Sequence, residues 1–150
     1  MKNYTIYWIQ EEIGNHFFHK CDVLYRFFKT YENENNRVDL NGQFRYITKD
    51  VPKELVRAYI KNYYRNTNSI KMNGDTIEIY TDRQYISLHI HQKHIKFQCD
   101  MLHEAESLLF PTLRAFQPFL FIIGNENYGW ISPVTKKREQ KLEQVLYSFL

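Results

Sequence analysis

The chain has 150 residues, of which 43% are hydrophobic and 25% charged, a balance that argues against a disordered chain and against a membrane protein. Its length predicts one domain with a core of its own. The formal net charge of +3 is small, so the composition does not favour a nucleic-acid partner. Aromatic residues are abundant, with 12 Tyr, 11 Phe and 2 Trp, and such side chains serve both in cores and as anchors of protein interfaces.

The predicted elements begin with a strand over residues 4–9, YTIYWI, which is β-branched and aromatic. A helix of about five turns follows over roughly 13–31 and ends at the polar loop ENENNR. Residues 42–48, GQFRYIT, predict a second short strand. DVPKELVRAYIKNYYR then predicts a helix that starts near Asp50 and Pro52.

From residue 69 to 99, apolar and polar side chains alternate, which predicts an antiparallel meander of strands. Asn73 and Gly74 indicate a type I′ hairpin turn, in which both central residues have positive φ. Helical spacing returns in MLHEAESLLFPTLRAFQ, with an interruption near Pro111. FLFIIG predicts a buried strand, NENYGWISPV a loop, and a C-terminal helix begins at about 135.

These elements predict a single α+β domain over residues 1–150, with a mixed, mainly antiparallel sheet and helices packed against it. Cys21 and Cys99 lie far apart and belong to no CxxC or Cys/His motif, so reduced, buried thiols are expected. The N-terminal MKNYTIYWIQEE lacks an export cleavage site, and no stretch approaches about 20 apolar residues. We expect a cytoplasmic protein without a membrane span.

Three histidines in HIHQKH raise the question of a metal site. Strand alternation puts His89 and His91 on one face, but His94 follows a turn, and no carboxylate or thiolate stands at ligand spacing. An exposed, solvated sheet face is the prediction, without metal or cofactor. The chain also lacks GxSxG, P-loop, GxGxxG and DxDxDG motifs, so neither an enzyme nor a small-molecule ligand is predicted.

Acids and histidines stand together in IQEEIGNHFFHK, where the first strand gives way to the helix. Glu11 and Glu12 with His16 and His19 form a group capable in principle of proton transfer. Acids at a helix start also interact favourably with the positive end of the helix dipole, and this plainer role accounts for them.

The predicted helix 13–31 has more apolar surface than one sheet face covers. At about 100° per residue its apolar arc is near 180°, whereas a helix packed on one side needs little more than about 100°. Part of the surface is therefore under a second layer or exposed. Ile13 and Phe17, beside polar Asn15 and His16, are the candidates for exposure, and core packing is the alternative for each.

Four stretches between residues 4 and 134 follow one another in a distinctive order: YTIYWIQEEIGNHFF, FRYIT with the Pro-containing segment behind it, FLFIIG and YGWISPV. In this order they resemble the SirA family, the sporulation inhibitor of replication found in spore-forming Bacillus relatives. EEIGNHFF and YGWISPV are the most specific. The resemblance implies a protein that is not an enzyme, that binds domain I of the replication initiator DnaA, and that restrains origin firing at sporulation.

The resemblance also implies which residues make this contact. Two large side chains at the start of the first helix, Ile13 and Phe17, belong to it, with Gln43 as a polar residue before the second strand. Apart from the resemblance, we expect Asn15 and His16, together with Gln43, to form the polar surround of the two anchors. The family favours aromatics at the two anchor positions. This sequence departs from that pattern, because Ile13 has no ring and Phe17 has no hydroxyl group such as a tyrosine would supply.

In YGWISPV, the turn residues Gly129 and Pro133 are expected to shape the chain, while Tyr128 and Trp130 pack and hydrogen-bond. A second contact surface is the alternative for this motif.

A different class of function remains open for the C-terminal helix. A nucleic-acid-binding module would use its basic residues with neighbouring aromatics, and added salt would weaken such binding steeply. These basic residues are Lys136, Lys137, Arg138 and Lys141. Under the SirA-like interpretation no direct nucleic-acid contact is expected.

Overall fold

The structure of the protein is a computed structural model that describes residues 1–34, 36–116 and 118–131. Over these ranges the strands are β1 (Lys2–Ile9), β2 (Thr48–Lys49), β3 (Ile70–Asn73), β4 (Thr76–Tyr80), β5 (Tyr85–Ile90), β6 (His94–Cys99), β7 (Leu120–Ile123) and β8 (Tyr128–Ile131). The helices are α1 (Glu11–Phe17), α2 (Cys21–Asn33), α3 (Val38–Ile47), α4 (Lys53–Tyr63) and α5 (Leu102–Leu108), with a 3₁₀ helix over Phe110–Phe116.

The strands join in one antiparallel sheet with the order β3-β4-β5-β6-β1-β7-β8, and β2 pairs with the end of β1. β1 therefore lies inside the sheet. Its apolar side chains alternate, with Tyr4, Ile6 and Trp8 on one face and Tyr7 and Ile9 on the other. The α+β class and the antiparallel sheet with packed helices are confirmed.

A hydrophobic cluster lies on each face of this sheet. On one face α4, α5 and the 3₁₀ helix cover the strands, and Val56, Ile60 and Leu109 are buried there. On the other face α1, α2 and α3 pack over β1, β7 and β8 in a cluster rich in aromatic rings, including Phe28 and Phe44. The second layer considered for the first apolar helix is therefore present, since α3 packs beside α2.

The single helix predicted over 13–31 is wrong, because α1 ends at Phe17 and α2 starts at Cys21. At the break, the carbonyl oxygen of Phe18 accepts a hydrogen bond from the indole Nε1 of Trp130, at 2.9 Å. The same carbonyl accepts the thiol of Cys21, with 3.6 Å between sulfur and oxygen. A residue 112 positions further along the chain thus stabilises the break, and local helical spacing contains no signal for it.

The strand predicted over residues 42–48 is also wrong, since α3 runs to Ile47 and only Thr48–Lys49 are extended. Leu40 and Phe44 stand four residues apart and bury one face of α3. The ring of Phe44 stacks on that of Tyr31 with 4.1 Å between centroids. This burial outweighs the strand preference of the local sequence, because propensity is a weak force against tertiary packing.

The helix predicted from DVPKELVRAYIKNYYR and the meander from 69 to 99 are confirmed as α4 and as β3 to β6. The turn between β3 and β4 differs from the prediction. Asn73 pairs with Thr76, so Gly74 and Asp75 are its central residues. Gly74 has a φ of 64°, and no described residue other than glycine has a positive φ. Positive φ at the first central residue alone is typical of type II′, so type I′ is wrong.

The predicted interruption near Pro111 is confirmed, since α5 gives way to the 3₁₀ helix there, and FLFIIG forms β7. The loop predicted for NENYGWISPV is wrong in part, because residues 128–131 form β8 and pair with β7. Both cysteines are free thiols. Cys99 is buried, but Cys21 is half-buried at the start of α2, so the prediction of a buried thiol is wrong for it. The C-terminal helix predicted from about 135 lies outside the described residues.

One buried carboxylate ties α5 to the sheet. Glu104 accepts the backbone N–H groups of Met101 and Asp100, each at 3.0 Å, and that of Tyr85 at 3.1 Å. The hydrogen bond from Met101 is the main cause that holds the pKa of Glu104 below its usual range, and the bonds from Tyr85 and Asp100 act in the same direction.

Candidate partner-binding surface

The start of α1 is attached to the end of α3. The backbone N–H of Gln10 donates to the carbonyl oxygen of Ile47 at 2.8 Å, and its side-chain amide donates to the carbonyl of Thr48 at 3.2 Å. Gln10 directly precedes α1 and its carbonyl accepts the N–H of Gly14 at 2.8 Å. The exit of β1, the first turn of α1 and the end of α3 therefore form one hydrogen-bonded unit.

Gly14 sets the orientation of α1 on the sheet. It is the buried residue of this helix, and a β-carbon built on it would approach three ring carbons of Phe119 closer than 3.0 Å. The backbone of α1 thus lies directly on the ring of Phe119, which precedes β7. Glycine is required here because any larger residue would separate the helix from the ring.

Ile13 and Phe17 lie at the side of α1, between its buried and its exposed faces. At about 100° per residue, Ile13 lies about 100° and Phe17 about 60° around the helix from the inward-facing Gly14. Both are half-buried and pack against the cluster of α1, α2 and α3. Each side chain is therefore supported from below and in contact with solvent above.

The polar residues of the predicted surface are all exposed. Asn15 and His16 project from α1, and the ring of His16 meets that of Phe17 edge-on, with 4.6 Å between centroids. Gln43 is exposed on α3, one turn before Ile47, where α3 is bonded to the start of α1. The structure brings four of the five predicted residues together on α1 and places the fifth on the adjoining helix.

Three exposed apolar residues near this surface were missed by the sequence reasoning. Phe18 stands at the break between α1 and α2, Val23 on the first turn of α2, and Tyr46 on α3, three residues after Gln43. Tyr46 is 66% exposed, and helical spacing puts it beside Gln43. GQFRYIT was predicted as a strand, in which residues three apart point to opposite faces. The proximity of Gln43 and Tyr46 was therefore not predicted.

Trp130 supports the surface from beneath. It is 1% exposed, its ring lies parallel to that of Phe18 with 5.7 Å between centroids, and it meets Phe119 at the same distance. Tyr128 stacks on Tyr25 with 4.3 Å between centroids. These contacts agree with the packing interpretation of YGWISPV for the two aromatic residues, while Pro133 lies beyond the described part of the chain.

The three histidines lie closer together than the sequence suggested. The rings of His89 and His91 are 4.4 Å apart and those of His91 and His94 are 4.6 Å apart, between centroids. His94 is half-buried beside the ring of Tyr7, so the prediction of a solvated face is wrong for it. Burial, and to a smaller extent the neighbouring His91, lowers the pKa of His94 to about 4.

Two observations concern metal and membrane sites in the described part of the chain. It holds no group of three His, Cys, Asp or Glu side chains arranged to bind a metal ion. None of its helices is long and apolar enough to cross a membrane. The basic residues 136, 137, 138 and 141 of the nucleic-acid alternative lie outside the described ranges.

Comparison with known proteins identifies the family. The chain matches the family described as sporulation inhibitor of replication protein SirA over residues 2–135, a range that includes α1, α3 and β8. It is similar to the sporulation inhibitor of replication protein SirA of Bacillus subtilis (strain 168), at 24% identity over 147 residues. That alignment covers 91% of this chain and 97% of the relative. The chain therefore belongs to the SirA family.

Proposed function

We propose that this protein inhibits the initiation of DNA replication during sporulation by binding domain I of the initiator DnaA through α1. Membership of a family named for replication inhibition supports the role. The observation that supports the location is the position of Ile13 and Phe17, which are half-buried at the side of a helix held on Phe119 through Gly14.

Such an arrangement suits two anchoring side chains. Ile13 and Phe17 already contact the core on one side, so little rotamer freedom remains to be lost when a partner covers the other side. A few desolvated anchors usually dominate a protein interface, surrounded by contacts that exclude water. The exposed Asn15, His16 and Gln43 provide that polar surround.

The charges near the anchors indicate what the partner presents. Glu11 and Glu12 are exposed in the first turn of α1, directly beside Ile13. A basic side chain on the partner would be complementary to this edge, and such complementarity raises the association rate more than the affinity. Inhibition would follow because domain I mediates self-assembly and partner loading, and an occupied surface serves neither.

Calorimetric titration of the purified protein with purified DnaA domain I tests the proposal. Phe17→Ala is expected to weaken binding by at least about tenfold, as hot-spot truncations cost on the order of 2 kcal/mol. Tyr80→Ala is the matched control, because Tyr80 is an exposed aromatic at the end of β4. It should bind like the wild type.

Phe17 also packs against the core cluster, so its truncation is expected to lower the free energy of unfolding by about 1 to 2 kcal/mol. A second variant avoids this complication. Asn15→Arg places a bulky side chain at an exposed position and should abolish binding without changing the urea midpoint. Unchanged binding by Asn15→Arg, or by folded Phe17→Ala, would show that α1 is not the contact surface.

A further inference from the structure

α4 has a row of exposed apolar side chains beside the row that it buries. Val56 and Ile60 are buried, whereas Leu55 is 56% exposed, Tyr59 42% and Tyr63 54%. The three exposed residues stand four apart, so they form one row over about 12 Å of the helix. Soluble proteins rarely expose such a row, and patches of this kind mark sites of association.

The row extends from α4 onto the 3₁₀ helix. The ring of Tyr59 meets that of Phe116 edge-on, with 5.2 Å between centroids. Phe116 in turn packs on Trp8 of β1, with 5.8 Å between centroids. We call Leu55, Tyr59, Tyr63 and Phe116 the α4 stripe. Its middle is therefore held in place by the core.

Two basic side chains of α4 point away from the α4 stripe. At about 100° per residue, Arg57 and Lys61 each lie about 160° around the helix from Tyr59. Ala58 and Asn62, which are exposed, lie nearer to the stripe and are uncharged. Two copies of the protein can therefore meet along this row without bringing these basic residues together.

The equal spacing makes the row complementary to itself. A two-fold axis at Tyr59 places Leu55 of one copy beside Tyr63 of the other, and the two helices then run antiparallel. Opposite ends of the two helix dipoles are then neighbours, which is favourable. Helical spacing also puts the exposed Glu54 and Arg65 on one side of α4 at opposite ends, so Glu54 of one copy approaches Arg65 of the other.

We propose that two copies of this protein associate through the α4 stripe, with α4 packed antiparallel on α4. A patch of this kind, about 300 to 600 Å² per copy, is smaller than the roughly 800 Å² per partner that a stable interface buries. The association is therefore weak and reversible, with a Kd of about 10 to 500 µM. Because α4 and α1 pack on opposite faces of the sheet, both α1 surfaces stay accessible.

Sedimentation equilibrium of the full-length chain tests this association at concentrations between about 10 and 500 µM. The average mass of the wild type is expected to rise from 18.4 kDa towards twice that value. Tyr59→Lys brings two like charges together at the two-fold axis and should raise the Kd at least about tenfold. Tyr80→Lys is the matched control, because Tyr80 is 41% exposed on β4, and it should associate like the wild type.

Leu55→Lys repeats the test at the end of the stripe, where the side chain is more exposed and its replacement disturbs the fold less. It should also weaken the association. A wild type that keeps the monomer mass throughout, or an equal loss in Tyr59→Lys and Tyr80→Lys, would overturn the proposal. Folded Tyr59→Lys and Leu55→Lys chains that associate like the wild type would overturn it as well.

Cross-linking tests the antiparallel arrangement separately. Glu54→Cys and Arg65→Cys chains, each made with Cys21→Ser, are mixed and treated with a short bis-maleimide, while Cys99 stays buried. Along the helix axis, residue 54 of one copy then lies within about 2 Å of residue 65 of the other but about 15 Å from residue 54.

The mixture is expected to give at least about threefold more covalent dimer than either variant alone, because only opposite ends of α4 meet. Equal yields in the mixture and in the separate variants would contradict the antiparallel packing. Neither measurement uses DnaA, so the outcome is independent of the function proposed for α1.

Discussion

The backbone of Gly14 rests on the ring of Phe119, so closely that a β-carbon at residue 14 would come nearer than 3.0 Å to three ring carbons. This contact joins the first turn of α1 to the residue before β7. It determines the orientation of α1 on the sheet and hence which side of Ile13 and Phe17 is in contact with solvent. Because the neighbour is a bulky, half-buried ring, a β-carbon can be accommodated only if the helix or the ring moves.

Gly14→Ala is therefore expected to destabilise the protein by about 1 to 3 kcal/mol, the usual range for overpacking. It should also weaken binding of DnaA domain I, because α1 is displaced. Urea unfolding and calorimetric titration measure the two effects. Gly42→Ala is the control, since a β-carbon at Gly42 meets nothing within 4 Å and alanine favours a helix interior. That variant should gain about 0.5 to 1 kcal/mol, and equal losses in both variants would contradict the role of the Phe119 contact.

Trp130→Phe is expected to lower the free energy of unfolding by about 1 to 2 kcal/mol, because it removes the buried donor at the break between α1 and α2. The lost bond joins Nε1 to the carbonyl of Phe18 at 2.9 Å. Tyr25→Phe removes a solvent-exposed bond to the carbonyl of Asn125, of 2.7 Å, and should cost less than about 0.5 kcal/mol. Chemical denaturation compares the two, and a smaller loss for Trp130→Phe than for Tyr25→Phe would contradict the support assigned to Trp130.

The stability of the protein is expected to fall as the pH decreases from about 6.5 to about 4. Burial beside Tyr7, and the nearby His91, Lys96 and His89, lower the pKa of His94 from 6.5 to about 4. In this window the unfolded chain binds a proton at His94 that the folded chain does not bind, so protonation favours unfolding. After allowance for solvent screening the loss is about 2 kcal/mol at the acid end.

His94→Gln should reduce this slope between pH 6.5 and 4, when unfolding free energies are measured by urea denaturation at closely spaced pH values. A smaller part remains, because burial also lowers the pKa of His91. His103→Gln, at an exposed position of α5, is the control and should keep the wild-type slope. If the unfolding free energy of His94→Gln changed with pH as steeply as that of the wild type, groups other than His94 would cause the acid sensitivity. Carboxylates with lowered pKa, such as Glu104, contribute their own losses at lower pH.

Much of the fold was predictable from local patterns. Each of β4, β5 and β6 buries every second residue on one face of the sheet. Apolar and polar side chains therefore alternate along these strands, and the alternation is visible in the sequence. The start of α4 near Pro52 and the change of structure near Pro111 follow from the restricted backbone of proline. The family stretches likewise indicate α1 and YGWISPV from the sequence alone.

The candidate surface was predictable only in part. The residues Ile13, Phe17, Asn15 and His16 follow from the apolar excess of the first helix and from the resemblance. The relation of Gln43 to them does not, because its segment was predicted as a strand and forms α3. The exposed Tyr46 became visible only once that helix was in place.

The amino-acid sequence by itself determined the α+β class, the meander and the family, because these depend on residue periodicity and on motifs within short stretches. Only the tertiary structure decided where the first helix breaks and which side of α1 faces solvent. Those features depend on Trp130 and Phe119, which lie more than one hundred residues away from α1 in the chain. Contacts at that separation leave no periodic signal in a local sequence, so the orientation of Ile13 and Phe17 is a property of the folded protein.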